Sequence, residues 1–424
     1  MDLFRTWLGI GCLSFGGPAA QIALMHRVIV DQRRWLQEKQ YLNALSFCML
    51  LPGPEAMQLA TFVGWRTHGV FGGLLAGLCF VLPGALLIFA IGSLYVLYGT
   101  HNITIDLFLG IKAAVLAIVL DALVKVWRRA LLTWQHRLIA AISFIGLFFF
   151  ALPFPLIILL AAAYGYWSAE VETTNGDNNT LQVALPDGHW TRLMRTIAVW
   201  LLIWWLPVLL LWVSVGEGVL LSLALFFSKL AVVSFGGAYA VLAYVAQDVV
   251  SQYQWLSATQ MMDALGLAET TPGPLILVTQ FVGVLAGFGE GGIAYAVAAG
   301  VVALWVTFVP CFLWIFAGAP YMQWLVGRSR LRGALSGISA AVVGVILNLS
   351  LWFALHVVFS QIALKEIGLM QVWMPQWDSF NGVVVLLSCL AALLLLGLKW
   401  GVMSTLFISA TLALLISRFD LTLV

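Results

Sequence analysis

The chain has 424 residues, of which 62% are hydrophobic and only 9% charged, so a water-soluble domain with a charged surface is excluded, and most soluble-enzyme classes go with it. The formal net charge of +2, carried by basic residues spread over short loops, offers no patch for a nucleic acid; these charges report membrane topology instead. The composition is that of a polytopic membrane protein.

The first apolar run begins near Leu3 with Arg5 inside it and shows no cleavage signature, so it is expected to act as its own insertion signal. It ends at Ser14-Phe15-Gly16-Gly17-Pro18, a break whose glycines let another backbone or a ligand approach. A lone Gly-Gly would read as helix packing; its recurrence beside a second kind of break favours a site. A basic loop with His26, Arg27, Arg33, Arg34 and Lys39 follows. Then comes Leu51-Pro52-Gly53-Pro54-Glu55, where a helix must stop, leaving unpaired carbonyls before the prolines and unpaired amides after them. In hydrocarbon such a break is tolerated where it is buried in protein or lines a wet cavity. Arg66 reads as a snorkelling interfacial residue. Lys112 and Asp121 lie in the next long apolar run, ahead of the basic cluster Lys125, Arg128, Arg129 and Arg137. The stretch Glu170 to Arg195, with Thr-Thr-Asn-Gly-Asp-Asn-Asn, is polar and turn-rich and reads as a linker.

After the linker the pattern starts again. Ser14-Phe15-Gly16-Gly17 returns as Ser234-Phe235-Gly236-Gly237, Trp35-Leu36 as Trp255-Leu256, and Pro52-Gly53-Pro54 as Pro272-Gly273-Pro274, each displaced by 220 residues. With small slips, Phe62-Val63-Gly64 matches Phe281-Val282-Gly283, and Gly110-Ile111-Lys112-Ala113-Ala114-Val115 matches Gly337-Ile338-Ser339-Ala340-Ala341-Val342. The chain reads as a duplication: residues 1–168 a first repeat, 169–217 a polar linker and connecting helix, 218–424 a second repeat. Apolar lengths give about 13 membrane segments, including short ones near 137–152, 154–167, 381–397 and 401–417 and a connecting span near 195–215.

An odd connecting span inverts the second repeat, and the charges agree. The basic loop at 26–39 answers to Gln247–Gln254, which carries only Asp248, while Arg328, Arg330 and Arg332 answer to 99–106, which has no Lys or Arg. If 26–39, Arg66 and 125–137 share one face, residues 41–65 enter and leave by it, as a hairpin of half-helices would; a full crossing that violates the charge rule is the alternative. The expected fold class is therefore an all-α polytopic membrane protein with two inverted repeats and broken or re-entrant helices.

The two breaks are read as halves of one site. Candidate substrate-binding residues are Ser14, Gly16, Gly17, Pro18, Gln21, Pro52, Gly53, Pro54 and Gln58 in the first repeat. In the second they are Ser234, Gly236, Gly237, Tyr239, Pro272, Gly273, Pro274, Thr279 and Gln280. Thr61 is a further polar neighbour. Half-helices starting after Pro54 or Pro274 would offer amides and a positive dipole end to an anion, although helix ends at the same breaks could equally coordinate a cation. Glu55 and Glu269 flank the breaks and could carry a proton; Glu55 could equally cap the new helix. Lys112 and Lys229 could add positive potential, and Asp121 could pair with a lysine. The tryptophans, among them Trp204, Trp205, Trp352 and Trp373, fit interfacial belts. Cys12, Cys48, Cys79, Cys311 and Cys389 are scattered, which argues against a metal cluster or a disulfide framework, and no cofactor is expected. No His-Glu-x-x-His or Gly-x-Ser-x-Gly pattern points to an intramembrane enzyme.

Taken in order, Ser14–Ala19 with Gln21–His26, Leu51–Ala56, Phe235–Leu242 and Gly266–Leu275 resemble the chromate ion transporter family, and the resemblance covers nearly the whole chain. It implies a multi-pass secondary carrier of the bacterial inner membrane in the long, two-domain form. Such a carrier exports chromate, confers resistance to it and draws on the proton-motive force, with sulfate as the natural competitor. The implied partners are chromate or a related oxyanion, protons and the bilayer; a homodimer is compatible with the sequence. The repeats differ in detail, Pro18 being matched by Ala238 and Glu55 by Leu275, so a symmetric two-site mechanism is not expected. A sulfate or other oxyanion carrier and a passive anion channel are the competing readings.

Overall fold

A computed structural model describes residues 2–99, 101–169, 189–235, 238–368 and 370–419. Gly236, Gly237 and most of the expected linker lie outside the described residues.

Each helix boundary follows from local chemistry. Helix α1 (Asp2–Leu13) stops at the Ser-Phe-Gly break, and α2 (Gly17–His26) restarts with Gly16 in the left-handed region as its cap and Pro18 in its first turn. A short π-helical segment, Arg27–Gln32, leads to α3 (Glu38–Cys48), whose start is fixed by a capping box between Gln37 and Gln40. Pro-Gly-Pro ends that helix, and α4 (Glu55–Tyr98) begins after Pro54. Then follow α5 (Asn102–Ala130), α6 (Trp134–Phe148) and α7 (Phe154–Ser168). The connecting helix α8 (His189–Val215) begins inside the stretch read as linker.

The second series has the same order. Helices α9 (Val219–Val233) and α10 (Ala238–Gln247) flank the second Ser-Phe break, and a π-helical Asp248–Gln252 leads to α11 (Ala258–Thr270), started by a capping box between Ser257 and Gln260. After the second Pro-Gly-Pro, a single 3-10 turn (Leu275–Leu277) opens α12 (Val278–Gly318). The short α13 (Met322–Val326), α14 (Ser329–Val358), α15 (Gly382–Ala392) and α16 (Val402–Arg418) complete it.

The two long helices α4 and α12 each double back on themselves. The backbone leaves helical geometry at His68 (φ −136°) and Gly69 (φ 65°, ψ −159°), and at Gly291 (φ −152°) and Gly292 (φ 68°, ψ −155°). A Cβ on Gly64 would meet the Gly72 carbonyl, and one on Gly287 the Tyr295 carbonyl, so the arms 55–67 and 70–98, and 278–290 and 293–318, lie antiparallel. The first arm is short, about 20 Å against a hydrocarbon core of about 30 Å. Gly69 and Gly292 occupy a region essentially closed to other residues. Gly69→Ala and Gly292→Ala are expected to destabilise the protein by about 1–3 kcal/mol each, read as a fall in the thermal midpoint in detergent. Gly289→Ala, with open space around its Cβ, is the control and should be near neutral.

Packing interleaves the two series. α1 lies on α4 and α9 on α12, and α4 and α12 meet at the centre. The α6–α7 pair packs on α14, and the α15–α16 pair packs on α5. Glycines set these crossings: Gly165 and Gly333 face each other's carbonyls, and Gly110 sits on the Ser409 carbonyl. Among the described residues five helical stretches are long and apolar enough to cross a membrane, with four shorter apolar helices beside them. The protein is a multi-pass membrane protein built mainly of helices.

Two features depart from expectation. A β-hairpin, β1 (Ile362–Ile367) and β2 (Met370–Pro375), pairs antiparallel between α14 and α15, with Gly368 at positive φ in its turn. Trp373 therefore stands on a strand, its ring edge-on to His356 at 5.4 Å. Trp204 is 3% exposed, and its indole N–H donates to the Ser228 hydroxyl at 3.2 Å, so it belongs to the core.

Candidate functional site

The four breaks meet in two reciprocal pairs. Gly53 N–H donates to the Ser234 carbonyl at 2.9 Å, and Gly273 N–H donates to the Ser14 carbonyl at 2.9 Å. Each Pro-Gly-Pro of one series is thus tied to the Ser-Phe break of the other. Gln21, 1% exposed, reinforces the second crossing, its Nε2 donating to the Gly273 carbonyl at 2.6 Å and the Ser14 carbonyl at 3.2 Å. Gln58, 0% exposed, donates to the Pro52 carbonyl at 2.6 Å.

These bonds decide what remains open at the crossing. Four break carbonyls, those of Ser14, Ser234, Pro52 and Gly273, are taken up by protein donors. The outgoing helices α2, α4, α10 and α12 all start here, and first-turn amides have no acceptor within their own helix. A Cβ on Gly17 would lie 3.6 Å from the Tyr239 hydroxyl and 3.7 Å from Leu275 Cδ1, so the starts of α2, α10 and the turn before α12 adjoin one another. At the start of α4 the cap position is Pro54, without a side-chain cap, and Glu55 is the first helical residue, half-buried beside the free first-turn amides.

Glu269, near the end of α11, is 3% exposed. The Tyr239 hydroxyl lies beside it, and its Oε2 has no hydrogen-bond partner among the described residues. A carboxylate buried this way is costly to leave charged unless it meets a cation or a proton.

The sequence pattern described as "Chromate transporter" matches residues 1–166 and 221–416. The chain belongs to the chromate transporter family. A "Chromate transport protein" of Pseudomonas aeruginosa is 32% identical over 351 residues, covering 81% of this chain and 79% of that one. A "Chromate transport protein" of Cupriavidus metallidurans is 29% identical over 350 residues, covering 81% and 80%. No solved structure matches significantly.

In this family member the expected side-chain donors are spent on the protein. Besides Gln21 and Gln58, Gln280 donates to the Ala85 carbonyl at 3.0 Å, and the hydroxyls of Ser14, Ser234 and Thr279 donate to Ile10, Ala231 and Ile276 carbonyls. Thr61 likewise bonds the Met57 carbonyl. The uncharged polar residues pin the breaks.

The charges separate into three places. Lys229 is exposed, lying over the Tyr244 ring at 5.8 Å, and is not part of the crossing. Asp121 pairs with Lys125 one turn on. Lys112 does not stand free: its Nζ lies 3.1 Å from Asp263 Oδ1, and the Tyr95 hydroxyl donates to Asp263 Oδ2 at 2.6 Å. Asp263 and Tyr95 were not legible as site residues, although Asp263 sits in the apolar run Met-Met-Asp-Ala-Leu, where a charge stands out. Gly16, Gly17 and Pro18 sit at the start of α2 as expected, and Pro52, Pro54, Pro272 and Pro274 bound the two crossings.

Proposed function

We propose that this transporter is a secondary carrier that moves chromate out of the cytoplasm across the inner membrane, coupled to the proton-motive force, and so confers resistance. The fold is read as two inverted repeats, residues 1–168 and 218–424 joined by 169–217, with the α3 and α11 hairpins re-entering the membrane. Three observations support the inversion: opposite charge in equivalent loops, an odd connecting helix and the reciprocal crossing of the breaks. The crossing carries the substrate reading. Four break carbonyls, of Ser14, Ser234, Pro52 and Gly273, are taken by Gly53, Gly273, Gln21 and Gln58, and the helix starts, with their amides and positive dipole ends, are read as the groups offered to a ligand. That polarity suits a tetrahedral dianion and disfavours a cation. The names of the Pseudomonas and Cupriavidus relatives supply chromate as the dianion. Glu269 is read as the proton carrier, held by Tyr239 next to the helix starts.

The test is labelled chromate uptake into everted membrane vesicles containing the protein, with and without an imposed pH gradient and with excess sulfate. Gradient-dependent accumulation weakly suppressed by sulfate is expected. Accumulation of sulfate instead of chromate would overturn the substrate, and downhill flux with no response to the gradient would make the protein a channel.

A further inference from the structure

We propose that Lys112, Asp263 and Tyr95 form a latch that holds the α11 hairpin shut against α5, so that this structure is closed on the α10–α11 side of the site and open on the α2–α3 side. The inference rests on the inverted-repeat carrier reading above.

The three groups come from three elements. Asp263 lies midway along α11, Lys112 in α5 and Tyr95 near the end of the second arm of α4. The Lys112 and Asp263 side chains are only 11% and 5% exposed, and the Tyr95 ring is fixed edge-on against Phe108 and Phe281 at 5.3 and 5.4 Å. A buried ion pair is a weak source of net stability against an apolar equivalent, but breaking it by removing one partner is expensive. Its use is to make one arrangement of helices distinct from another.

The equivalent positions in the other repeat lack it. The displacement relating Ser14 to Ser234 relates Asn43 to Asp263, and the one relating Gly110 to Gly337 relates Lys112 to Ser339. Asn43 is exposed and Ser339 half-buried, and both are neutral. The packing differs to match. α10 and α11 lie on α14 and α5, whereas α2 and α3 rest on α4 and the short α13. Residues Met261 to Glu269 of α11 are all buried, but on α3 Lys39, Asn43 and Ser46 form an exposed stripe at one-turn spacing, and on α2 Ala19, Ala20 and Ala23 are exposed. A stripe of lysine, asparagine and serine suits water, not hydrocarbon. It runs along α3 from the loop bearing Arg27, Arg33 and Arg34 toward the first Pro-Gly-Pro, so the open side is the side with basic residues at its mouth. The same fold position that is locked by charge in one repeat is neutral and exposed in the other.

The test needs no substrate, so its failure is separable from failure of the chromate reading. With the five native cysteines replaced, a single reporter is placed as Ala264→Cys, beside Asp263, or as Ser46→Cys, on the exposed stripe. Sealed vesicles of both orientations are treated with a membrane-impermeant maleimide. In the otherwise native protein the position-46 thiol should label from the face bearing the basic loops, and the position-264 thiol from neither. Asp263→Asn or Lys112→Gln should raise labelling at position 264 about tenfold, from the opposite face only. Exchanging the two charges, Lys112→Asp with Asp263→Lys, should restore protection. Installing the pair in the first repeat, Asn43→Asp with Ser339→Lys, should slow labelling at position 46; this variant leaves the native latch intact and tests the idea even where the exchange does not fold. Unchanged labelling at both reporters in the single and installed variants, or labelling at 264 from the basic-loop face, would overturn the latch.

Discussion

Glu269→Gln is expected to abolish gradient-driven chromate accumulation while leaving chromate exchange across the vesicle membrane measurable. The carboxylate is 3% exposed, lies beside the Tyr239 hydroxyl, has an unpartnered Oε2 and forms no ion pair among the described residues. Beside the helix starts proposed to hold the dianion, such a group is useful if it takes up and releases a proton as the anion leaves and enters. Glutamine keeps the size and a hydrogen-bond acceptor for Tyr239 but cannot carry the proton. Driven uptake should fall by roughly a hundredfold or more, the scale at which losing one proton-transferring group tells. Counterflow, which needs no net proton movement, should persist. Driven uptake equal to the native protein at matched expression would remove Glu269 from the coupling role.

Glu55 is the internal comparison. Its carboxylate stands at the first position of α4, where a negative charge meets the positive end of the helix dipole. Losing such a charge costs about 0.3–1 kcal/mol of helix stability, so Glu55→Gln should lower the thermal midpoint slightly and reduce driven uptake far less than Glu269→Gln. The two carboxylates, similar by position beside a proline break, are separated by burial: Glu55 is half-buried at a helix start, Glu269 enclosed at a helix end.

What the sequence discloses and what it conceals follow from the range of the interactions involved. Pro-Gly-Pro and Ser-Phe-Gly act on their own backbone, so the helix ends at Leu13, Cys48, Val233 and Thr270 could be placed from local chemistry. The reversals at Gly69 and Gly292 are also local: the first follows Arg66, where the charges place the exit of 41–65, and the second lies in Gly289-Glu290-Gly291-Gly292, whose charge and glycines interrupt the apolar run. The β-hairpin at 362–375 follows a long apolar helix, and strands that short are hard to separate from a helical continuation. The partners of the polar residues are a different matter. Gln21 to Gly273 spans 252 residues and Tyr95 to Asp263 spans 168. Nothing in the local sequence says that Gln21 would serve the backbone and not a ligand, or that Lys112 would find an aspartate on α11. Residue type announced that these positions matter; only the fold shows which group each one serves.

Gly84→Ala is expected to damage the crossing itself, because there the second arm of α4 touches the second Pro-Gly-Pro with no room for a side chain. A Cβ at position 84 would lie 2.0 Å from the Pro272 carbonyl oxygen and 2.7 Å from Leu277 Cδ1. Leu277 could turn aside, but the carbonyl belongs to a segment fixed on both sides. Gly273 N–H is held by the Ser14 carbonyl, and the Gly273 carbonyl is held by Gln21. Relief therefore requires either α4 to move away from α12 or the break to slide off the first repeat. Over-packing of a close contact costs about 1–3 kcal/mol, and the backbone on both sides places this one at the upper end. The thermal midpoint should fall clearly, and at temperatures where the variant stays folded its transport should drop more than its stability, because the displaced backbone fixes the start of α12, which the proposed site uses to hold the anion. A variant that folds less well but transports normally per folded molecule would show that the position of Pro272 is not critical to the site. A variant indistinguishable from native in both respects would show that the crossing is looser than the 2.0 Å approach implies.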